Sequence, residues 1–215
     1  MINLQENNEV RVAGAVKSEP EFSHELFGEK FYTLKIDVKR LSDVSDEVFI
    51  TVSERLCDID NLTAGTFICV KGQFRSYNNY YSDDRKLILT VFAKELYTVD
   101  HEEVDNPNLI YLNGFICKEP QYRKTPLERE ITDILIAVNR LYNKSDYIPC
   151  IAWGRNARFA SNLKVGQNVK IWGRIQSREY QKRIDEDTSV TKIAYEVSVS
   201  KIELAAEEMS DSEIG

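Results

Sequence analysis

An all-β chain built as two small five-stranded barrels in tandem is the fold this 215-residue sequence predicts, and three observations predict it. First, runs rich in β-branched and aromatic residues alternate apolar with polar at a period of two, the mark of half-buried strands. LIYLNGFIC (109–117), ITDILIAVNRL (131–141) and IPCIAW (148–153) are the clearest. Second, the chain repeats itself about every 100 residues. NNEVRVAGAVKSEPEF (7–22) matches PNLIYLNGFICKEPQY (107–122), IDVKRLSDVSD (36–46) matches IAVNRLYNKSD (136–146), and LTAGTFICVKGQFRS (62–76) matches LKVGQNVKIWGRIQS (163–177) after a one-residue shift. Solenoid repeats run to roughly 50 residues at most, so this repeat is a duplicated domain. Third, HEEVDNPN (101–108) between the copies is acidic, polar and carries Pro107, as a domain boundary should.

The elements follow in order within the second copy. Strands are expected over 109–117, 131–141 and 148–153. RNARFASNL (155–163) then places Ala157, Ala160 and Leu163 at helical spacing, a short helix covering one end of a sheet. NVKIWGRIQS (168–177) and SVTKIAYEVSVSKIEL (189–204) resume the alternation, with Gly166 before the fourth strand for a turn and Gly173 within it for a tight bend. Periodicity alone supports a small β-barrel. Five strands with a helix between the third and fourth is the order of the OB-fold, whose strand face binds oligonucleotides or oligosaccharides. The expected organisation is therefore two tandem OB-fold barrels, each with a short helix between strands 3 and 4. Residues 1–106 and 107–204 form the two barrels, and 205–215 an acidic disordered tail.

Charge separates the copies. Residues 1–106 carry 12 Lys and Arg against 20 Asp and Glu, a net of −8, whereas 107–202 carry 16 against 10, a net of +6. The end, 203–215, adds five acidic residues and no basic one. A basic module between acidic ones points to a nucleic-acid partner despite the overall −7. Cys57, Cys69, Cys117 and Cys150 form no CxxC pair, so reduced thiols are expected and no metal site. His24 and His101 are isolated, and no phosphate loop, HExxH or nucleophile elbow is present. Asp133, Asp146 and Glu179 are scattered carboxylates with no catalytic spacing. No enzyme activity and no cofactor are expected. The N-terminus lacks the basic and apolar regions of a secretory signal, and no apolar run is long enough for a membrane helix.

SDYIPCIAWGRNARFASNL (145–163) sets Tyr147 and Trp153 in an apolar strand directly before Arg155 and Arg158. Rings in such a run suit either a core or an exposed platform. Here the second copy resembles the bacterial single-stranded-DNA-binding protein (SSB) family, through IAVNRLY (136–142), DYIPCIAWGRNARFASNLKVGQNVKIWGRIQSREY (146–180) and YEVSVSKIEL (195–204). The first copy shares the frame more faintly, through RVAGAVKSEPEF, KIDVKRL and LTAGTFICVKGQFRSY. The resemblance implies base-stacking positions at Tyr142, Tyr147, Trp153 and Tyr180. It sets beside them Arg140, Arg155, Arg158, Lys170, Arg174 and Arg178 as phosphate contacts. Stacking and counterion release act on any sequence, so the implied function is sequence-independent binding of single-stranded DNA in replication, recombination or repair. An OB module directed at a protein or RNA is the alternative. Trp172 falls outside the implied stacking set.

The first copy has Ser42, Glu47 (or Asp46) and Val52 where the second has Tyr142, Tyr147 and Trp153, so an architectural role is expected for it. Tyr77, Tyr80 and Tyr81, in a hairpin expected within 74–84, could add a DNA or partner contact. Family proteins present four OB domains, so a homodimer is implied. The resemblance also implies docking of replication or repair proteins on an acidic C-terminal tip, for which Ile214 is the apolar candidate. Location is expected to be cytoplasmic and nucleoid-associated.

Overall fold

The computed structural model describes residues 6–40, 42, 44–78, 87–99, 104–183 and 188–205. Tyr80, Tyr81, His101, the first part of the linker and residues 206–215 of the tail lie outside the described residues. The described residues are mostly strand, with almost no helix. The first half contributes β1 (Asn8–Val16), β2 (Glu21–Leu26), β3 (Glu29–Lys39), β4 (Ser45–Ser53), β5 (Phe67–Asn78) and β6 (Leu87–Thr98). The second contributes β7 (Asn108–Ile116), β8 (Gln121–Lys124), β9 (Glu130–Arg140), β10 (Lys144–Trp153), the helix α1 (Arg155–Ala160), β11 (Asn168–Arg183) and β12 (Ser189–Leu204).

Among the described residues each half counts six strands where five were expected, because the first breaks in two. Pro20 and Pro120 lack an N–H, and the chain leaves the ladder at each Glu-Pro before resuming as β2 or β8. The pairings are otherwise those of two OB barrels. β1 pairs antiparallel with β3 and β5, β3 with β2 and β4, β5 with β6, and a parallel β4–β6 contact closes the ring. The second half repeats this with β7 through β12. Gly14 and Gly114 permit the closure. A Cβ on Gly114 would stand 2.7 Å from the Ala137 carbonyl oxygen, and one on Gly14 would strike that of Asp37. Val12, Ile36, Ile50, Val70 and Val91 fill one interior, and Leu112, Ile136, Ile148, Ile171 and Val197 the other.

The expected helix appears in the second barrel only. α1 buries Ala157 and Ala160 against the barrel end, where Thr132 Oγ1 donates to the Ala157 carbonyl (2.8 Å). In the first barrel the corresponding residues give a 3-10 turn, Ile59–Asn61, which buries nothing. Its sequence, CDIDN, favours capping over helix propagation: the Asp58 side chain accepts from the Asp60 N–H (3.2 Å).

β1 and β7 pair antiparallel, joining both barrels into one 12-stranded sheet. Beside this seam Asn8 forms two hydrogen bonds with the Phe74 backbone within the first barrel, and Asn108 two with that of Ile175 within the second. Other matched side chains cross between halves. Buried Asp46 accepts from the Ser177 N–H (2.9 Å), and buried Asp146 from the Ser76 N–H (2.8 Å). Ser177 Oγ accepts from the Glu47 N–H and Ser76 Oγ from the Tyr147 N–H. Two reciprocal Asp–Ser clasps thus fix one barrel against the other.

Candidate nucleic-acid interface

Strand alternation assembles the site. In β10, Asp146, Ile148, Cys150 and Ala152 are buried. Tyr147, Pro149, Ile151 and Trp153 therefore point to the opposite face, beside Ala137, Leu135, Asp133 and Ile131 of β9. The parallel contact sets Ile151 beside Ser198 of β12, and β12 in turn sets Ser198 opposite Arg174, Glu196 opposite Gln176, and Lys192 opposite Tyr180. Tyr147, Trp153, Arg174, Arg178 and Tyr180 consequently share one outer face. At about 3.3 Å per residue, Tyr147 to Trp153 spans roughly 20 Å, as does Arg174 to Tyr180.

The charges on this face are held in place. Gln176 Nε2 and Arg178 Nε both donate to Glu196 Oε1, at 2.8 and 3.1 Å, and the Arg178 guanidinium lies 5.9 Å from the Tyr180 ring centre. Arg174 reaches the barrel junction, 3.9 Å from Asp46. Burial, and then the neighbouring Arg40, lower its pKa, an effect Asp46 opposes. Arg155 opens α1 directly after Trp153-Gly154 and is exposed. Arg158 is exposed and pairs with Glu130 (3.3 Å).

Tyr142 occupies the three-residue β9–β10 turn, 90 % exposed at φ +62°, with Asn143 at φ +54°. A tyrosine in the left-handed region is uncommon, and its ring presents both faces to solvent.

Other candidates lie elsewhere. The Arg140 side chain belongs to the clasp, with Nε 3.2 Å from Asp146 Oδ2. Lys170 faces out on the part of β11 paired with β7, opposite Asn113 and Glu203, away from the ring face. Trp172 is on that same side, 5.2 Å from Tyr111 and under the Lys201 ammonium. Tyr77 comes from the first barrel, yet its ring centre is 5.9 Å from the Arg140 guanidinium, at the margin of the second barrel's face.

The two clasps differ in alignment. Arg40 donates to both Asp46 oxygens, at 2.6 and 2.8 Å. Arg140 meets Asp146 as an ion pair without an aligned hydrogen bond, leaving Asp146 Oδ2 without a hydrogen-bond partner. Burial accordingly pushes the Asp146 carboxyl above its ordinary range, against the pull of the Ser76 N–H and of Arg140 and Arg75.

The first barrel's face differs from what its sequence suggested. β4 pairs with β3 so that Glu47 takes the place of Tyr147 and Ser53 that of Trp153. Val52 is fully buried in the core, so its assignment as the Trp153 counterpart is corrected to Ser53. The one-residue shift between copies falls after this strand, at the 3-10 turn. Glu47 is engaged by the Tyr195 hydroxyl (2.7 Å) and by Lys35 (3.1 Å) and Lys17 (3.4 Å). Burial works against its ionisation, but these partners outweigh it and hold its carboxyl below the ordinary range.

Rings are nonetheless present there, and sequence reasoning missed them. Phe49 meets Tyr195 edge-on (5.1 Å) below the Lys35 ammonium, and Arg75 stacks 3.8 Å above Phe92. Period-two alternation in VFITVS and LTVFAKEL places both phenylalanines outward, a signal available in the sequence.

By architecture, then, the chain is a tandem OB-fold protein with one aromatic and basic sheet face. A profile described as the single-strand binding protein family matches residues 107–204. The single-stranded DNA-binding protein 1 of Streptococcus pyogenes serotype M18 is 32 % identical over 96 residues, 41 % of this chain and 74 % of that protein. Similar matches are the single-stranded DNA-binding protein 2 of Listeria innocua (32 %, 41 % of this chain) and protein A of Bacillus subtilis (31 %, 41 %). The chain spans 60 % and 56 % of the length of these two relatives. The chain belongs to the single-strand binding protein family.

Across nearly its whole length the fold is that of the single-stranded DNA-binding protein of Thermus aquaticus. The TM-score is 0.75 at 19 % identity, covering 95 % of this chain and 96 % of that one.

Proposed function

We propose that the protein binds single-stranded DNA without sequence preference, through the outer face of its second barrel, and protects it during replication, recombination or repair. The observation that carries this reading is the convergence of Tyr147, Trp153 and Tyr180 with Arg174 and Arg178 on one face, next to exposed Tyr142 and Arg155. Each ring stacks on any base, at about 1–3 kcal/mol, while the guanidinium groups follow the phosphates. In this reading residues 107–204 are the binding domain and 1–106 the scaffold that replaces a second subunit. Arg140 serves the scaffold, Lys170 contacts phosphate only at a distance from the rings, and Tyr77 extends the face from the first barrel. The acidic segment 205–215 is a docking tip for replication or repair proteins.

Two chains forming a homodimer with four barrels belong to the same proposal. A groove of about 590 Å³ across the β1–β7 junction, lined by Leu109, Tyr111 and Trp172 together with the charged Glu9, Arg11 and Lys94, offers a mixed surface for it. Among the described residues no helix is long and apolar enough to cross a membrane, and no group of three or more His, Cys, Asp or Glu could hold a metal ion. The reading places the protein in the cytoplasm with the nucleoid, and it involves no cofactor and no catalytic step.

The test is equilibrium binding of labelled oligo-dT, a mixed-sequence single strand and a matched duplex across a salt series. Binding to both single strands, falling steeply with salt and far above that of the duplex, is expected. Equal affinity for duplex, or no binding by folded protein at low salt, overturns the reading and favours a protein- or RNA-directed module.

A further inference from the structure

The 12-stranded sheet has two open ends, and they carry opposite charge. β2 terminates one end, paired only with β3, and β8 the other, paired only with β9. All six residues of β2 and all four of β8 are exposed. Around β2, residues 19–29 hold Glu19, Glu21, Glu25 and Glu29 and no Lys or Arg. Around β8, residues 118–129 hold Lys118, Arg123, Lys124 and Arg129 against Glu119 and Glu128.

Both ends also expose apolar side chains. Phe22 is 60 % and Phe27 96 % exposed at the first, and Leu127 77 % at the second. Phe27 sits at φ +51°, before Gly28 at +75°, in the two-residue turn joining β2 to β3. Such a turn favours Asn or Gly there, so a bulky ring carries a conformational cost that burial within its own barrel does not offset.

We propose that β2 of one molecule pairs with β8 of a second copy of this chain, continuing the sheet from molecule to molecule. Unpaired edges are templates for strand addition unless something opposes it. Here charge opposes the like pairings: β2 on β2 brings glutamates together, and β8 on β8 brings cations together. Only the unlike pairing is attractive, so the charges that block indiscriminate edge association also select one partner edge. A contact between different surfaces does not pair off as a two-fold dimer, and unless its rotation closes a ring it builds an open row. The four residues of β8 limit the ladder, which makes the contact small and transient. Its effect is greatest where copies are already held side by side at high local concentration. This goes beyond the binding reading and does not rest on it.

The test uses full-length protein without DNA, by sedimentation velocity at low salt over a concentration series reaching hundreds of micromolar. One variant carries Glu19→Lys, Glu21→Lys and Glu25→Lys; another carries Lys124→Glu and Arg129→Glu. All five positions are exposed and outside the ring face. Wild type should show a sedimentation coefficient that rises with concentration and flattens with added salt. Each variant alone should lose that rise, because both of its ends then bear the same sign. An equimolar mixture should regain it, alternating along the row, and a chain with all five changes should regain it alone. A flat wild-type series at low salt, either variant alone associating as wild type does, or a mixture behaving as the sum of its components overturns the proposal.

Discussion

Replacing Asp146 by Ala should be among the most damaging single changes in the molecule. Its carboxyl is fully buried at the barrel junction, accepts from the Ser76 N–H at 2.8 Å, and faces Arg140 at 3.2 Å. Removing it strands a buried N–H, a cost of about 1–3 kcal/mol. It also leaves the half-buried Arg140 without its counter-charge, and breaking a buried pair from one side costs about 3–5 kcal/mol. The two losses overlap, so we expect about 3–5 kcal/mol in total. That is a large share of the 5–15 kcal/mol typical of a whole fold, and at this chain length it lowers Tm by roughly 6–20 °C. Asp146→Asn should cost less, since an amide oxygen can still accept from Ser76 and the burial penalty of a charge disappears, although Arg140 loses its counter-charge in both variants.

The two variants also separate by pH. A carboxyl whose folded pKa is raised takes up its proton first in the folded state, so the fold gains stability as pH falls through that window. The gain is complete only below the ordinary value near 3.8. Wild type should therefore gain on Asp146→Asn as pH falls from neutral towards 4. Thermal and denaturant unfolding, followed by circular dichroism, check both statements. A Tm for Asp146→Ala within about 1 °C of wild type, or wild type losing ground to Asp146→Asn on acidification, would show that the clasp is not the energetic joint described here.

Trp153→Ala should weaken oligo-dT binding about 5- to 150-fold, from the loss of one platform worth about 1–3 kcal/mol, measured by anisotropy titration. Ser53→Ala, at the matching position of the first barrel, should leave that affinity within twofold. Tyr77→Ala should weaken binding by less than Trp153→Ala, and an equal loss would make the first barrel a binding partner in its own right. Tyr195→Phe removes the hydroxyl held by Glu47. Because the depressed Glu47 carboxyl contributes stability that is lost as pH falls through its folded pKa, wild type should lose its margin over this variant below the ordinary value of 4.5. Light scattering should give twice the 24.8 kDa chain mass for the proposed homodimer, and a chain-sized mass at micromolar concentration refutes it.

How much of this was legible in the sequence depends on how local each cause is. The Gly14/Gly114 and Glu-Pro repeats and the period-two runs mark both barrels, because a glycine at a close crossing and an apolar face are properties of single strands. The ring face was legible for the same reason: Tyr147 and Trp153 lie six residues apart on one strand, an even spacing. The Val52 assignment failed because a slip of one residue turns a strand position from one face to the other. The copies first differ in length after this strand, near the turn at Ile59–Asn61.

Arg140 shows the other limit. RLSDVSD and RLYNKSD display an Arg six residues before an Asp in both copies, but nothing local says that this pair folds back on itself. The serines whose N–H groups donate to the aspartates, Ser76 and Ser177, are separated from Asp146 and Asp46 by 70 and 131 residues. An arginine near tyrosines reads as a phosphate contact, and its pairing with Asp146 at the barrel junction is not visible in the local sequence. The β1–β7 pairing is hidden likewise, because an edge strand's sequence does not name its neighbour.

The most direct measurement of the central claim is the fluorescence of a single tryptophan. Trp172→Phe leaves Trp153 as the sole reporter on the ring face, and Trp153→Phe leaves Trp172 as the reporter beside Tyr111, where β11 pairs with β7. Titration with oligo-dT at low salt should quench the first protein strongly and saturably, and leave the second nearly unchanged. Saturable binding that quenches Trp172 but not Trp153 would place the strand at the β1–β7 junction instead of the ring face and contradict the account.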